Sequence, residues 1–347
     1  MLNSPLDFEK PIADLDEDIA ALKRLANDPN ARQDALARGI DLAAEIPKVE
    51  QRRTEMVRQI FSNLTPWNEV QIARHPQRPY TLDFIKLICD DFFELHGDRV
   101  NADDAAIVGG LARFRGESVV VLGHQKGRDL KERTLRNFGS ARPAGFRKAL
   151  RLMKLAEKFN KPILVFVDTM AAMADPMAEE EGISRAIAYN LQEMVMLRVP
   201  IVVAVTGEGG SGGALGIAVG DRVMMLEHAV YSVIPPEGCA AILTAFGKDK
   251  SRAAEAADAL KLTARHALEL GVVDEILPEP LGGAHHNAAE AAATLKQAIG
   301  RHLSALGKLS ADELVRLRYE KYRRMGAWYD ASALIKEQLA VEPTSGA

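Results

Sequence analysis

Pro200-Ile-Val-Val-Ala-Val-Thr-Gly-Glu-Gly-Gly-Ser-Gly-Gly-Ala-Leu-Gly-Ile-Ala-Val-Gly-Asp221 decides the fold. Its first half is an apolar, β-branched run of the kind that forms a strand buried on both faces. Its second half carries six glycines between Gly207 and Gly216 and then continues as a short apolar helix. A strand that enters a helix through so many glycines leaves several backbone N–H groups bare and pointing one way. With the helix dipole behind them, those donors suit negative charge.

The local pattern matches three chemistries. Gly207-Glu-Gly209-Gly-Ser-Gly212, with Glu227 twenty residues beyond Gly207, satisfies a dinucleotide fingerprint, but a second strand rather than a helix follows Glu227. Gly209-Gly-Ser211-Gly-Gly213 satisfies a nucleophile elbow, with Asp274 and His285-His286 downstream in the order of a serine hydrolase. Those histidines sit in a Pro/Gly-rich boundary where solvent-facing polar residues are normal. The third chemistry is an oxyanion hole, in which the N–H groups of Gly212 and Gly213 receive charge developing on an oxygen and Ser211 supports the turn.

Working outward, Pro162–Asp168 reads as a second apolar strand, and helices are expected over 145–160 and from about Gly182 to Arg198. Upstream, Ala106-Ile-Val-Gly-Gly-Leu-Ala-Arg-Phe114, then Arg115-Gly116, then Ser118-Val-Val-Val-Leu-Gly123 reads as two strands joined by a tight turn. Downstream, Arg222–Leu226 and Val230–Ile234 form another expected pair of strands, and Glu237 opens a further helix. The repeating unit is thus strand, strand, helix. Near the N-terminus, Ile12, Leu15, Ile19, Leu22 and Leu25 recur at helical spacing, Asn27-Asp-Pro-Asn30 interrupts, and the spacing resumes through Val49, Met56 and Ile60. This predicts an exposed helical hairpin that packs against a partner or the body. Pro278, Pro280 and Gly282-Gly283 mark a boundary before a helical tail in which Ser310 to Glu313 matches a capping box.

The 347 residues carry 44 Lys plus Arg against 48 Asp plus Glu, a net charge of −4 that argues against a strongly basic nucleic-acid binder. No apolar run approaches the roughly 18 residues of a membrane span, and no secretory leader is recognisable, so a soluble cytoplasmic protein is expected. Cys89 and Cys239 are far apart and outside any Cys/His cluster; they read as buried thiols, and no metal site is expected. Between Lys126 and Arg151 nine basic residues face two acidic ones, a local balance of +7 that reads either as attraction for phosphates or an acidic carrier, or as a solvated face.

Over nearly its whole length the chain resembles the alpha-subunit family of bacterial acetyl-coenzyme A carboxylase carboxyltransferases, within the crotonase-like superfamily. The residues that carry this are LDFEKPIADL (6–15), RHPQRPYTLDFI (74–85), ADDAAIVGGLAR (102–113), GHQKGRD (123–129), RNFG (136–139), RKALRLM (147–153), the glycine segment 207–221, YSVIPPEGCAAIL (231–243) and PEPLGGAHHN (278–287). The resemblance implies an α/β crotonase-like core over 78–280, between a helical arm (1–77) and a helical tail (281–347). It implies transfer of a carboxyl group from carboxybiotin on a biotin carboxyl carrier protein to acetyl-CoA, giving malonyl-CoA for fatty-acid synthesis. It also implies a beta-subunit partner in an alpha2-beta2 assembly, a supplying biotin carboxylase, and biotin attached to the carrier rather than to this chain. By the family motif, Gly212 and Gly213 stabilise the ureido oxygen of biotin. Gly209, Gly210, Ser211, Ala214, Thr169, Met170 and Ala171 then line the substrate, and Lys126 and Arg128 attract its anionic parts. The competing readings are a biotin-dependent decarboxylase subunit, a serine hydrolase using Ser211, and a non-catalytic scaffold.

The chain departs from the family after Thr169, where a Pro-Gly-Ala-aromatic-Pro-Gly loop is replaced by Met170-Ala-Ala-Met-Ala-Asp-Pro-Met177. Alanine at a positive φ that glycine would tolerate costs about 1 kcal/mol or more. The expectation is therefore either a rebuilt biotin pocket with activity retained, or an impaired paralogue. The segment 140–145, Ser-Ala-Arg-Pro-Ala-Gly, is a smaller departure.

Overall fold

Arg115 and Gly116 both adopt positive φ, 51° and 86°, which closes the expected two-residue hairpin with Phe114 paired to Glu117. The computed structural model describes residues 5–326, so positions 327–347 of the expected tail lie outside the described residues. In chain order its strands are β1 (Asp90–Glu94), β2 (Ile107–Phe114), β3 (Glu117–His124), β4 (Ile163–Thr169), β5 (Ile201–Gly210), β6 (Arg222–Leu226), β7 (Val230–Ser232) and β8 (Glu275–Leu277). They form one sheet in the order β1-β2-β3-β4-β5-β6-β8, with β7 continuing along the edge of β5 beyond β6. The first two pairings are antiparallel and the rest parallel.

Every residue of β4 and β5 is buried, as the uninterrupted apolar runs require. The helix Pro143–Lys158 covers the sheet through Phe146, Leu152 and Met153, and the helix Ile183–Met196 packs on it with Ile183 and Met194 buried in the same core. Parallel pairing of β4 with β5 runs in step from Ile163/Ile201 to Val167/Val205 and then slips, so that Thr169 faces Gly209. Such an irregularity re-aims the side chains inside it, and Glu208 lies there.

The arm departs from a simple hairpin. Asp28 accepts the N–H groups of Asn30 and Ala31 and starts a short middle helix, Pro29–Ala37, between the helices Lys10–Asn27 and Leu42–Phe61. Arg53 bonds Asp16 through two nitrogens, at 2.5 and 3.2 Å, and joins the long pair. Burial fades outward, from Ile12 at 0% exposed to Leu25 at 46%. Cys89 and Cys239 are buried free thiols, and burial pushes the Cys89 thiol up to about 11.

Ser310 and Glu313 form the expected capping box at the start of the helix Ala311–Arg323. That helix is tied into the core rather than laid on it. Arg318, fully buried, bonds Asp221 through Nε and Nη2 at 2.9 and 2.8 Å and donates to the carbonyls of Met194, Leu197 and Val199. Asp221 in turn accepts the Ile201 N–H at 2.7 Å, at the first residue of β5. Replacing Arg318 with Met strands a buried carboxylate and several carbonyls; we expect a loss of about 3–5 kcal/mol in denaturant unfolding. A loss below about 1 kcal/mol would show that the clamp is dispensable.

Candidate active site

The glycine turn is built where β5 enters the helix Ser211–Ala218. Gly210 occupies the N-cap and has no side chain with which to cap the helix, so the first-turn N–H groups are left for another acceptor. Ser211 takes φ 53°, a left-handed angle uncommon outside glycine, which swings the chain sharply at this point. Two of the glycines are required by close approach of the 170–172 backbone. A Cβ on Gly210 would lie 1.7 Å from the Met170 carbonyl oxygen, and one on Gly213 would lie 2.4 Å from the Ala172 nitrogen. A Cβ on Gly212 would meet only the flexible end of Ile187, at 3.3 Å.

The structure thus brings Gly209–Gly213 against Thr169–Ala171, two segments that the sequence analysis had placed in one site. Thr169 is fully buried, and its hydroxyl is shared between the carbonyls of Gly139 (2.7 Å) and Ala171 (2.8 Å), which fixes the loop. Met170 is 42% exposed, whereas Ala214 is fully buried in the core. From residue 161 to 181 no residue has positive φ, so the backbone strain expected for an alanine-rich replacement does not arise. Asp175 accepts the Ala178 N–H, ion-pairs with Arg142 at 2.5 Å and starts a short helix at Pro176. This loop has its own local hydrogen bonding in place of glycines.

Beneath the turn lies a charged group that sequence reasoning did not assemble. Lys126 sits between Asp168 at the end of β4 and Glu208 at the end of β5, 2.7 Å from each. Arg74 bonds the other Glu208 oxygen at 2.7 Å and Glu237 at 2.5 Å. The Glu208 N–H donates to Asp168 Oδ1 at 2.9 Å. Burial disfavours the charge of Lys126, yet the two carboxylates outweigh it and raise its pKa. Glu208 is likewise desolvated but is held below its usual range by Lys126 and Arg74, while burial leaves Asp168 raised. His124, at the end of β3, is fully buried with both ring nitrogens unbonded; burial first, then Lys126, push its pKa to about 3, so the ring is neutral beside the Gly213 backbone. Glu208 was visible as the one charged residue between Gly207 and Gly216. Its partners lie 82 and 134 positions away, beyond any local pattern.

Lys126 is therefore committed to Asp168 and Glu208 rather than free to meet a phosphate, a correction to the expectation above. Arg128 is likewise taken up, by Asp83 and the Pro76 carbonyl, with its guanidinium 4.7 Å over the Tyr80 ring. Of the rest of the basic stretch, Arg136 pairs with Glu132, Arg142 with Asp175, Arg147 with Asp98 and Lys148 with Asp103, while Arg133 and Arg151 donate to the backbone carbonyls of Gly127 and Gly97. The +7 of the local sequence is largely balanced by carboxylates from elsewhere in the fold.

The hydrolase constellation does not form. Asp274 engages the Val223 N–H and Lys321, and His285 is turned to Glu9. Glu227 accepts the Glu279 N–H in the turn after β6. What remains is a preorganised set of N–H donors at the carboxyl ends of β4 and β5. Beside it is a cleft of ≈ 20 Å³ walled by Val70, Arg74, Met170 and Ser232. A typical ligand site has at least roughly 300 Å³, so this cleft by itself does not enclose a ligand.

The mixed sheet with its covering helices and glycine-rich turn is a crotonase-like α/β fold. Solved structures with that fold include transcarboxylase 12S (TM-score 0.54, 20% identity, 67% of this chain and 42% of that one) and the beta subunit of P. aeruginosa geranyl-CoA carboxylase (TM-score 0.53, 16% identity, 72% and 46%). The family model described as acetyl co-enzyme A carboxylase carboxyltransferase-like matches residues 5–326. Acetyl-coenzyme A carboxylase carboxyl transferase alpha subunits of Nostoc sp. and Thermosynechococcus vestitus are 50% and 51% identical over 327 and 326 residues, in each case 94% of this chain and 97% of the relative. The chain belongs to the acetyl-CoA carboxylase carboxyltransferase family and is similar to its alpha subunits.

Side-chain clearance makes the two central glycines unequal. In an assembled carboxyltransferase, Gly213→Ala must displace the Ala171–Ala172 backbone and with it the N–H donors; we expect turnover to fall by about 100-fold or more. Gly212→Ala, which only nudges Ile187, should lose less than about tenfold. Equal losses would show that clearance against the loop does not govern the turn.

Proposed function

We propose that this chain forms the biotin-side half of a carboxyltransferase site that moves the carboxyl group of carboxybiotin, carried on a biotin carboxyl carrier protein, to acetyl-CoA. The product is malonyl-CoA for fatty-acid synthesis. The observation that carries this reading is the uncapped glycine turn at the end of β5, held against Met170–Ala172 beside a cleft too small to enclose a substrate. A second chain, the beta subunit of an alpha2-beta2 assembly, would supply the facing wall and the donors for the thioester enolate. Biotin carboxylase would recharge the carrier.

The chemistry needs no side-chain nucleophile. As the N–C bond of carboxybiotin breaks, its electrons move onto the ureido group, and the N–H groups of Gly212 and Gly213 stabilise the oxygen that takes up the charge. The ureido anion removes a proton from the methyl group of acetyl-CoA, and the resulting enolate attacks the released carbon dioxide. Donors fixed before the reaction favour the charged state over the neutral substrate, which is what accelerates the step. Thr169 and the Asp175–Arg142 pair fix the loop that shapes the biotin side. The regular backbone of that loop supports retained activity over an impaired paralogue. No helix among the described residues is long and apolar enough to cross a membrane, in keeping with a cytoplasmic site of action.

Decarboxylation of malonyl-CoA in the presence of biocytin tests the shared site. We expect activity only when this chain and its beta partner are mixed, and its loss with Gly213→Val. Stable association of the two chains without activity would overturn the catalytic assignment.

A further inference from the structure

His285 and His286, which the sequence placed on a solvent-facing boundary, are turned inward onto Glu9 at the other end of the chain. Glu9 lies on the single turn Asp7–Glu9 that precedes the helix Lys10–Asn27. Its Oε2 accepts the Leu6 N–H at 2.9 Å. Its Oε1 faces His285 Nε2 at 2.9 Å and His286 Nε2 at 3.6 Å. One ligating atom from each residue lies within 4.8 Å of those of the other two. The side chains of Glu9 and His285 are 0% exposed and that of His286 is 15%.

A hydrogen-bonded ion pair does not account for all of these atoms. His285 Nδ1 and His286 Nε2 are buried without a hydrogen-bond partner, and 3.6 Å is too long for the second imidazole to bond Glu9. His286 Nε2, unpaired beside a fully buried carboxylate, is an arrangement that hydrogen bonding alone leaves costly.

We propose that Glu9, His285 and His286 form a binding site for a divalent transition-metal ion of the zinc class. Two imidazole nitrogens and one carboxylate oxygen are the donor set zinc takes, with water in the fourth position. Bonds of about 2.0 Å in a tetrahedron separate neighbouring ligands by about 3.3 Å. The 2.9 and 3.6 Å separations from Glu9 Oε1 bracket that spacing. His286, the partly exposed member, marks where the water would sit. The His75 ring packs 4.3 Å from that of His285 and fixes its plane.

Such an ion would fasten the N-terminal helix to the turn after β8. That turn also serves the active site. Ala284 donates to Glu279 Oε2 at 2.6 Å; Glu279 pairs at 2.5 Å with Arg78, both side chains fully buried; and Arg78 Nε donates to the Thr206 carbonyl of β5 at 2.7 Å. The site is therefore structural, and independent of which acyl group is carboxylated.

The test is titration of the tag-free full-length chain, freed of metal by chelator, with cobalt(II) and then zinc. We expect one cobalt per chain, visible bands of four-coordinate nitrogen/oxygen ligation without thiolate charge transfer, displacement by zinc, and a higher melting temperature with zinc than with chelator. His286→Ala, at the exposed edge, should keep the fold and weaken binding at least about tenfold, and Glu9→Gln should do the same. The absence of a stoichiometric cobalt spectrum in the unmodified chain would overturn the proposal without reference to any variant. Binding unchanged in both variants would assign the metal to another place and overturn it equally.

Discussion

The ammonium of Lys126, buried between Asp168 and Glu208, is the interaction on which the active-site architecture rests. Two carboxylates at the ends of adjacent parallel strands would repel each other in a low-dielectric interior, and without a cation they would force the strand ends apart. With Lys126 between them and Arg74 on the far side of Glu208, both strands end at one fixed place. The glycine turn starts two residues beyond Glu208, and the Thr169–Ala171 segment directly follows Asp168. The charged group therefore sets the distance between the two backbones that touch at Gly210 and Gly213.

The same logic explains how a basic stretch and a moderately acidic chain coexist. The charges of 126–151 are not displayed as a field. Five of the nine meet carboxylates at Asp83, Asp98, Asp103, Asp168, Asp175 and Glu208, and so tie the loop after β3 and the helix Pro143–Lys158 to the segments around them. At the opposite end of β5, Arg318 and Asp221 perform the equivalent task from the tail. Both ends of the central strand are thus held by buried Arg or Lys contacts, whose cost of desolvation is offset only because the hydrogen-bonding groups are nearly all matched.

Much of this was legible from local pattern. The two apolar runs, the Arg115-Gly116 hairpin and the Ser310 capping box are set by nearby residues, and each was readable for that reason. The strands β1 and β8 were not, because Asp90–Glu94 is polar and Glu275–Leu277 is only three residues long; pairing with β2 and β6 defines them. At the site, the glycines could be found from their density, whereas Lys126, Arg74 and Asp168 acquire their roles only through contacts distant in sequence. Counting charges along 126–151 suggested a free basic surface because a sequence does not show its partners. The alanine-rich loop suggested strain that its backbone, with φ negative throughout, avoids.

A thermodynamic cycle on Lys126 and Glu208 tests this account most directly, by comparing Lys126→Met, Glu208→Gln and the double variant in unfolding and in carboxyl transfer with the beta partner. Each single change should destabilise the chain and depress turnover. The double change should cost less than the sum of the two, with a coupling of about 1 kcal/mol or more. Strict additivity, or single variants with full activity, would contradict the claim that this buried cation holds the turn in place.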